Sequence, residues 1–244
     1  MDNLITLNQH RWEQCRVNAD KAPIFKKVAD RLTTPTAMAR YKAVERTTKV
    51  PWWFIAVVHE REASQRWNAS LAQGDPWNKK SVHVPAGRGP FKSWEDAAYD
   101  ALVNCQPYAA RNTDWSPGGA LTMLEKYNGL GYYKKGVPSP YIWAGTNQYS
   151  HGKYIADGVY NDSTVDSQLG CAGLLKFMNA FETQPVTTPV PVPTTIATGG
   201  AVAGGAVVYH YWPHLSNHWI LYAVGAIVAA IVIDIAIHVY RNRK

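Results

Sequence analysis

Residues 51–64, PWWFIAVVHEREAS, form the stretch around which the rest of the chain is organised. Pro51 favours the first turn of a helix, because its φ is already helical and its missing N–H would have no partner there. Every position from Trp52 to Val58 is apolar, which is typical of a helix in the middle of a core. Four polar or charged residues, HERE, follow directly. The C-terminal end of a buried helix is therefore predicted to carry two carboxylates out of the core.

Glu60 and Glu62 are these two carboxylates. At 100° per residue, Glu62 falls on the line of Ile55 and Val58, whereas Glu60 falls beside Trp53. A carboxyl against an apolar wall has a raised pKa, since burial penalises its charged form, and it then keeps a proton near neutral pH. The general acid of a glycosidase needs this property. The helix alone leaves both glutamates as candidates, and it also allows both to be solvated residues of a last turn.

Composition indicates a globular protein with an anionic partner. Hydrophobic residues make up 46% of the 244 residues, which is enough for a sizeable core. Ten Trp and fourteen Tyr supply flat apolar faces on which sugars can stack. The net charge of +7 suits nucleic acid, a membrane or bacterial cell wall. No basic run interleaved with aromatic residues occurs in the sequence, which argues against nucleic acid.

The cysteines and the first residues indicate folding in a reducing compartment. Cys15, Cys105 and Cys171 are widely spaced, without a metal-ligand pattern, so we expect buried free thiols and neither a metal nor a cofactor. Residues 1–15 contain neither a basic segment nor an apolar run typical of a cleavable signal, so synthesis in the cytoplasm is expected.

Helical patterns predict a mainly α domain. Helices are expected over 9–49 with a break at TTPT, over 93–104 with Ser93 as its cap, over 117–127 and over 165–182. Glu125 is expected on the exposed face of the third of these segments.

A long loop-forming segment follows the central helix at 66–91, RWNASLAQGDPWNKKSVHVPAGRGPF. Loops of this length inside a compact domain are usually functional or disordered, and the aromatic residues argue against disorder. Asp75, held between Gly74 and Pro76, is a candidate second carboxylate, although a turn-forming role is equally compatible with its position. His83 is compatible with a place in the same loop or with a structural role.

Residues 127–161 form a second aromatic segment, with seven Tyr and one Trp among several Gly and two Pro. This composition predicts an aromatic-lined, turn-rich wall rather than a regular element. Its stacking faces and hydrogen-bonding groups suit a polysaccharide groove, and an irregular core loop is the alternative. On composition, Tyr141, Trp143 and Tyr149 are candidate substrate-binding residues.

Five motifs follow one another between about residues 35 and 178. They are VPWW from Val50, HEREAS from His59, GDPWNKKSVHVPAGRGP from Gly74, WEDAAYDAL from Trp94 and YNGLGYYKKGVPSPYIWAGTNQYSHGKY from Tyr127. In this order they resemble the lysozyme-like peptidoglycan hydrolases of bacteriophages and prophages, the endolysins, which are related in fold to lytic transglycosylases and goose-type lysozymes. The resemblance implies a bilobal domain with an irregular, loop-rich cleft.

The resemblance also implies roles for particular residues. In that family a Glu at the end of a buried helix is closely followed by Ser and acts as the general acid, and Glu62, two residues before Ser64, is the better match. Glu60 fits the spacing from the apolar run and stays a candidate. Asn128 and Tyr132 match substrate-cleft positions of the family. A second catalytic carboxylate is not required in the related lytic transglycosylases, where the substrate assists.

The C-terminal region predicts a membrane anchor. The catalytic domain is expected at 1–183, and the Pro/Thr-rich segment 184–195 is expected to be a semi-extended linker. The anchor is expected at 196–244, with an apolar span at 219–240 that is long enough to cross a bilayer and has aromatic and basic flanks. A second, Gly-rich span at 196–212 would turn the anchor into a helical hairpin.

Together these patterns predict a membrane-tethered glycosidase that cleaves the bond between N-acetylmuramic acid and N-acetylglucosamine in peptidoglycan and lyses the host cell wall. The expected partners are peptidoglycan glycan strands, the lipid bilayer and a holin-like or other membrane partner. The expected location is the host inner membrane, with the catalytic domain facing the cytoplasm before lysis, or the periplasm. The alternatives are a non-catalytic wall-binding or virion structural module, and a chitinase-type glycosidase. Both hydrolysis and transglycosylation remain open.

The number of spans decides on which side of the membrane the catalytic domain lies. Because basic residues prefer the cytoplasmic side, one span with RNRK inside would place the domain outside, whereas a hairpin keeps it inside. We expect the hairpin. In a protease-protection assay, an N-terminal tag should then be cut in inside-out membrane vesicles. Cleavage from the periplasmic side only would contradict the hairpin.

Overall fold

The computed structural model describes residues 2–182, and the predicted linker and membrane segments at 184–244 lie outside the described residues. Within this range the protein is a mainly α-helical domain with a small two-stranded hairpin, which confirms the expected helical class. The helices are α1 (Asp2–Gln14), α2 (Ala22–Leu32), α3 (Pro35–Thr48), α4 (Trp52–Ala63), α5 (Trp94–Val103), α6 (Pro117–Tyr127), α7 (Gly131–Lys135), α8 (Pro140–Trp143) and α9 (Cys171–Phe177), and the strands are β1 (Lys153–Ala156) and β2 (Val159–Asn161). None of the helices between residues 2 and 182 combines the length and the apolar character needed to cross a bilayer.

Helix α4 runs through the centre of the core, as the sequence predicts. Every side chain from Trp53 to His59 is buried, and α4 packs against α2, α3 and α9. Pro51 lies one position before the first helical residue. At the other end Ser64 adopts a left-handed conformation with φ of 50° and donates its N–H to the Glu60 carbonyl oxygen, which ends the helix. The carboxylates of α4 thus lie where the helix leaves the core.

A buried histidine fixes the end of α4. His59 is fully buried; its Nδ1 lies 3.0 Å from the Tyr41 hydroxyl and its Nε2 lies 3.0 Å from the Arg66 carbonyl oxygen. Since a carbonyl oxygen can only accept, Nε2 carries the proton and Nδ1 accepts from Tyr41. Gln65 donates to the same hydroxyl at 3.2 Å. This network ties the loop after α4 to α3 and so orients the last turn of the central helix.

Most other helices lie where the sequence predicts them. Helix α5 begins at the Ser93 cap, whose hydroxyl accepts from the Asp96 N–H, and α6 occupies the expected range. The three cysteines are buried free thiols, as expected. The helix expected over 165–182 begins only at Cys171. Residues 165–170 are non-helical, and Gly170, which has an extended conformation, donates its N–H to the Ala144 carbonyl oxygen and lies against α8, where a Cβ would clash.

The expectation that Glu125 lies on an exposed face is wrong. Helix α1 covers this side of α6, with a buried hydrogen bond of 3.1 Å from Asn8 to Thr122 and a bond of 2.9 Å from the Gly118 N–H to Gln9. Glu125 is therefore only 2% exposed. Burial raises its pKa to about 7, although the nearby Arg11 guanidinium acts in the opposite direction.

The aromatic segment 127–161 is more regular than expected. It contains α7, α8 and the antiparallel hairpin, in which Tyr154 pairs with Tyr160. The rings of these two tyrosines meet edge to face at 5.2 Å between centroids, and Tyr132 packs against both. The Tyr132 hydroxyl also accepts from the Tyr154 N–H at 3.1 Å. The tyrosine cluster thus attaches the hairpin to α7.

Replacement of His59 by Gln tests the network at the end of α4. Burial lowers the pKa of His59 from 6.5 to about 4, so the unfolded chain takes up a proton between these values while the native state does not. Stability should fall as the pH drops from 6.5 towards about 4, by about 3 kcal/mol from this residue alone. Denaturant unfolding across this range should show the difference between wild type and His59→Gln shrinking by that amount.

The control for this experiment is His10→Gln, which changes an exposed histidine on α1. It separates the effect of a buried histidine from that of exchanging His for Gln on the surface. A constant difference between wild type and His59→Gln would mean that His59 is not held neutral in the native state.

Candidate functional site

A cleft of about 580 Å³ opens at the C-terminal end of α4. Its walls come from the end of α4, the junction of α6 and α7, the start of α8, the hairpin and residues 166–168. Of the residues expected from the sequence to form the site, it brings together Glu62, Asn128, Tyr132 and Tyr141. The helix end, the aromatic segment and the hairpin thus meet around one space.

Glu62 carries the most perturbed carboxyl of the cleft. Burial raises its pKa from 4.5 to about 7, and this effect exceeds the opposing influence of the Tyr141 hydrogen bond and the Arg61 charge. Tyr141 donates its hydroxyl to Glu62 Oε1 at 2.9 Å. This hydrogen bond occupies one carboxyl oxygen, which leaves Oε2 to carry the proton. Glu62 therefore holds a transferable proton near neutral pH.

The donor of this hydrogen bond is itself fixed. Tyr141 is 4% exposed, and burial raises its pKa well above the usual value, so the hydroxyl stays protonated. The Arg61 guanidinium lies 4.7 Å from the centroid of the Tyr141 ring, within cation–π distance. The Arg61 contact and burial thus hold the ring of Tyr141 in place, and its hydroxyl orients Glu62.

Asp166 is a cleft residue that no sequence motif indicated. Its carboxylate accepts from Lys153 Nζ at 2.9 Å and from Arg61 Nη2 at 3.1 Å, and its side chain is 2% exposed. Burial by itself would raise its pKa, but the Lys153 hydrogen bond and the Arg61 charge leave the pKa below its usual value. The three residues come from α4, β1 and the segment before α9. Their ion pairs join the hairpin to the end of the central helix.

Two glutamates of the same helix end thus have different surroundings. Glu60 does not line the cleft; its Oε2 accepts from Arg31 Nη2 at 2.7 Å, and this ion pair ties α4 to α2. Since Glu60 and Glu62 are two residues apart, their side chains project about 200° apart around the helix axis. Only one of them can face the cleft, and it is Glu62.

Asp75 also lies away from the lining of the cleft. Its Oδ2 accepts from the N–H groups of Val82 and His83 at 2.8 and 3.0 Å, and its Oδ1 lies 2.7 Å from His83 Nδ1. These bonds, of which the backbone bond from His83 has the largest effect, hold the pKa of Asp75 below its usual value. The structure thus gives Asp75 and His83 the turn-holding geometry that the sequence left open as an alternative.

Trp143 and Tyr149 do not line the cleft either. Trp143 is fully buried in the core. The Tyr149 hydroxyl accepts from the Asp166 N–H at 3.0 Å and lies 3.2 Å from the Gly152 carbonyl oxygen. Tyr149 therefore supports the Asp166 segment from behind. Composition predicted all three aromatic residues as substrate-binding candidates, but of these only Tyr141 lines the cleft.

No family model, curated protein or solved structure matches this chain. The resemblance carried by the sequence motifs therefore remains a prediction. The chemistry of the cleft rests on its own residues. These are connected by contacts, from Glu62 through Tyr141 to the ion pairs of Arg61, Asp166 and Lys153.

The pKa of Glu62 can be measured directly. In protein labelled with ¹³C at the glutamate carboxyls, one carboxyl signal that is lost in Glu62→Gln should titrate near pH 7. In Tyr141→Phe the same signal should titrate at higher pH, because the lost hydrogen bond favours the charged form.

Glu125 supplies the matched control, since burial raises its pKa to about 7 as well. Glu125→Gln should remove a second titrating signal and leave that of Glu62 in place. A Glu62 signal that titrates near 4.5, its usual pKa, would contradict the burial of its carboxyl.

Proposed function

We propose that the protein is a lysozyme-like glycosidase that cleaves the glycan backbone of bacterial peptidoglycan, with Glu62 as the general acid. The observation that carries this proposal is a carboxyl with a pKa of about 7, oriented by Tyr141, in an open cleft large enough for sugar units. A glycosidic oxygen is a poor leaving group until it receives a proton, and a carboxylic acid that is still protonated near neutral pH can supply one.

The proposed reaction begins with proton transfer from Glu62 to the glycosidic oxygen. As the bond between this oxygen and the sugar C1 breaks, positive charge develops on the sugar ring. Glu62 becomes a carboxylate, and the hydrogen bond from Tyr141 together with the nearby Arg61 charge stabilises it. Both interactions favour the charged form and therefore become stronger as the proton leaves.

The second step requires a nucleophile at C1. Asp166 does not suit this role because it is paired with Arg61 and Lys153, and Asp75 does not suit it because it accepts hydrogen bonds from its own loop away from the cleft. Asp157, in the turn of the hairpin, is an exposed carboxylate that also lines the cleft. If Asp157 accepts a proton from water as the water oxygen bonds to C1, the product is a reducing sugar. If a hydroxyl of the substrate itself bonds to C1, as in lytic transglycosylases, its proton returns to the Glu62 carboxylate, the product is a 1,6-anhydro sugar and Asp157 is dispensable.

The helical body and the hairpin region would form the two lobes of a lysozyme-like domain with the cleft between them. The predicted linker and anchor at 184–244 would hold this domain at the host inner membrane, close to the wall that it degrades. What supports the anchor is the apolar run at 219–240 in the sequence.

Wall solubilisation tests the proposed function. The full-length chain in detergent micelles should release soluble fragments from purified peptidoglycan. Glu62→Gln should lower the rate about 10³-fold, because the general acid is lost. Glu60→Gln should retain activity, since that side chain is paired with Arg31 outside the cleft. Glu125→Gln is the matched control, as it changes a glutamate with a similarly raised pKa away from the cleft.

The pH dependence provides an independent test. The rate should fall as the pH rises above about 7, because the acid loses its proton. In Tyr141→Phe this fall should move to higher pH. Mass spectrometry of the products of wild type and Asp157→Asn separates the two second steps. A reducing sugar whose formation is lost in Asp157→Asn indicates water activated by Asp157, whereas a 1,6-anhydro sugar formed by both proteins indicates attack by a hydroxyl of the substrate.

Three outcomes would count against the proposal. Full activity of folded Glu62→Gln would exclude the assigned acid. Binding of walls without cleavage by wild type would favour the wall-binding module instead. Cleavage of chitin with no cleavage of peptidoglycan would favour a chitinase-type enzyme.

A further inference from the structure

A second groove joins the Glu62 cleft. It has a volume of about 540 Å³ and is lined by residues 106–108 and 126–130. Asn128 and Gly129 line both the cleft and this groove, so the two spaces adjoin at the end of α6. A polymer that occupies the cleft would reach the groove by passing over these two residues.

The backbone at the junction leaves room for a chain to pass. Gly129 has φ of +87°, and a Cβ built at this position would meet no atom within 4 Å. Asn128, at the C-terminal cap of α6, is exposed, and within residues 2–182 its side-chain amide has no hydrogen-bond partner. An amide with a free donor and a free acceptor at this point can bind the hydroxyl or acetamido groups of a sugar.

The far side of the groove contains a fixed aromatic ring. Tyr108 has φ of 58° and ψ of 55°, a left-handed conformation that is uncommon for a bulky side chain. Its N–H donates to the Cys105 carbonyl oxygen and its own carbonyl accepts from the Arg111 N–H, both at 2.8 Å. The Arg111 guanidinium lies 4.2 Å from the ring centroid. A ring held in this way loses little freedom when a ligand packs against it.

The groove is basic as well as aromatic. Lys126 lines it directly, and Arg111 lies against its tyrosine. No salt bridge of either side chain occurs within the described residues. Their positive charges favour a polymer that carries carboxylates, such as the peptide-substituted sugars of peptidoglycan, over a neutral polymer of the same backbone.

From these observations we propose that the groove is a distal binding site for the same glycan strand, in which Tyr108 packs against a sugar ring, Asn128 binds its polar groups and Lys126 pairs with a carboxylate. This inference rests on the proposed function. It assigns the protein a substrate class, long anionic amino-sugar strands, and it separates binding in the groove from the chemistry at Glu62.

The test compares strands of two lengths. The full-length chain in detergent micelles is given peptidoglycan tetrasaccharides, as strands that the proposal confines to the cleft, and octasaccharides, as strands that it extends into the groove. Tyr108→Ala should raise KM for the octasaccharide about tenfold, with kcat unchanged, and should leave the tetrasaccharide kinetics unaltered. Tyr108→Phe should behave like wild type because it keeps the ring. Tyr99→Ala is the matched control, since Tyr99 is an exposed tyrosine on α5 outside the groove.

Lys126→Gln provides a second variant that does not alter the left-handed backbone at Tyr108. It should raise KM for the anionic octasaccharide. In the inactive Glu62→Gln protein, the added Lys126→Gln substitution should leave the affinity for neutral chito-octasaccharide unchanged. Thermal unfolding of each variant shows whether it is folded.

The inference and the proposed function fail in different ways. If wild type cleaves both strands and the folded groove variants show no length-dependent change in KM, the groove is not a binding site while the enzyme assignment stands. An equal rise in KM for both lengths would likewise overturn the distal site. If wild type neither cleaves nor binds strands of either length, both proposals are wrong.

Discussion

The candidate site depends on the partial burial of one carboxyl at the end of an apolar helix. Helix α4 is buried from Trp53 to His59, so its last turn emerges at the edge of the densest packing. Glu62 therefore lies against protein on one side and the cleft on the other. The native state keeps it protonated to about pH 7, whereas the unfolded chain ionises near 4.5. The contribution of Glu62 to stability thus declines as the pH rises between these values, which is the energetic consequence of having an acid at this position.

A raised pKa alone does not make a functional site, as Glu125 demonstrates. Burial raises its pKa to the same value, about 7, but α1 covers it and its nearest charge is Arg11. Glu62 differs because its surroundings combine burial, a fixed donor and an open cleft. Tyr141 orients the carboxyl, and Arg61 fixes Tyr141 and is itself fixed by Asp166. Orientation and access, rather than the pKa, distinguish the candidate acid.

The ion pairs of Asp166 connect the site to the rest of the fold. Arg61 comes from the central helix and Lys153 from the hairpin, so one buried carboxylate holds together two walls of the cleft. The tyrosine cluster attaches the same hairpin to α7, which begins just beyond Asn128 and Gly129. The cleft and the adjoining groove therefore share part of their lining, although their residues come from distant parts of the chain.

Local patterns in the sequence determined the elements of this protein, and tertiary contacts determined the site. The apolar run after Pro51, the Ser93 cap and the range of α6 were predictable, because caps and periodicity act over a few neighbouring residues. The sequence also placed a carboxylate at the end of α4, but the helix pattern left Glu60 and Glu62 both open, and only the family resemblance favoured Glu62. That choice depends on how α4 is rotated against its neighbours, and the partners that fix it, Arg31 and Tyr141, are 29 and 79 residues away. Likewise, no local signal marks Asp166, since its partner Arg61 is 105 residues earlier in the chain. Only the folded structure brings such pairs together, because residues far apart in the chain come within hydrogen-bond distance, and lose their contact with water, only when the helices pack.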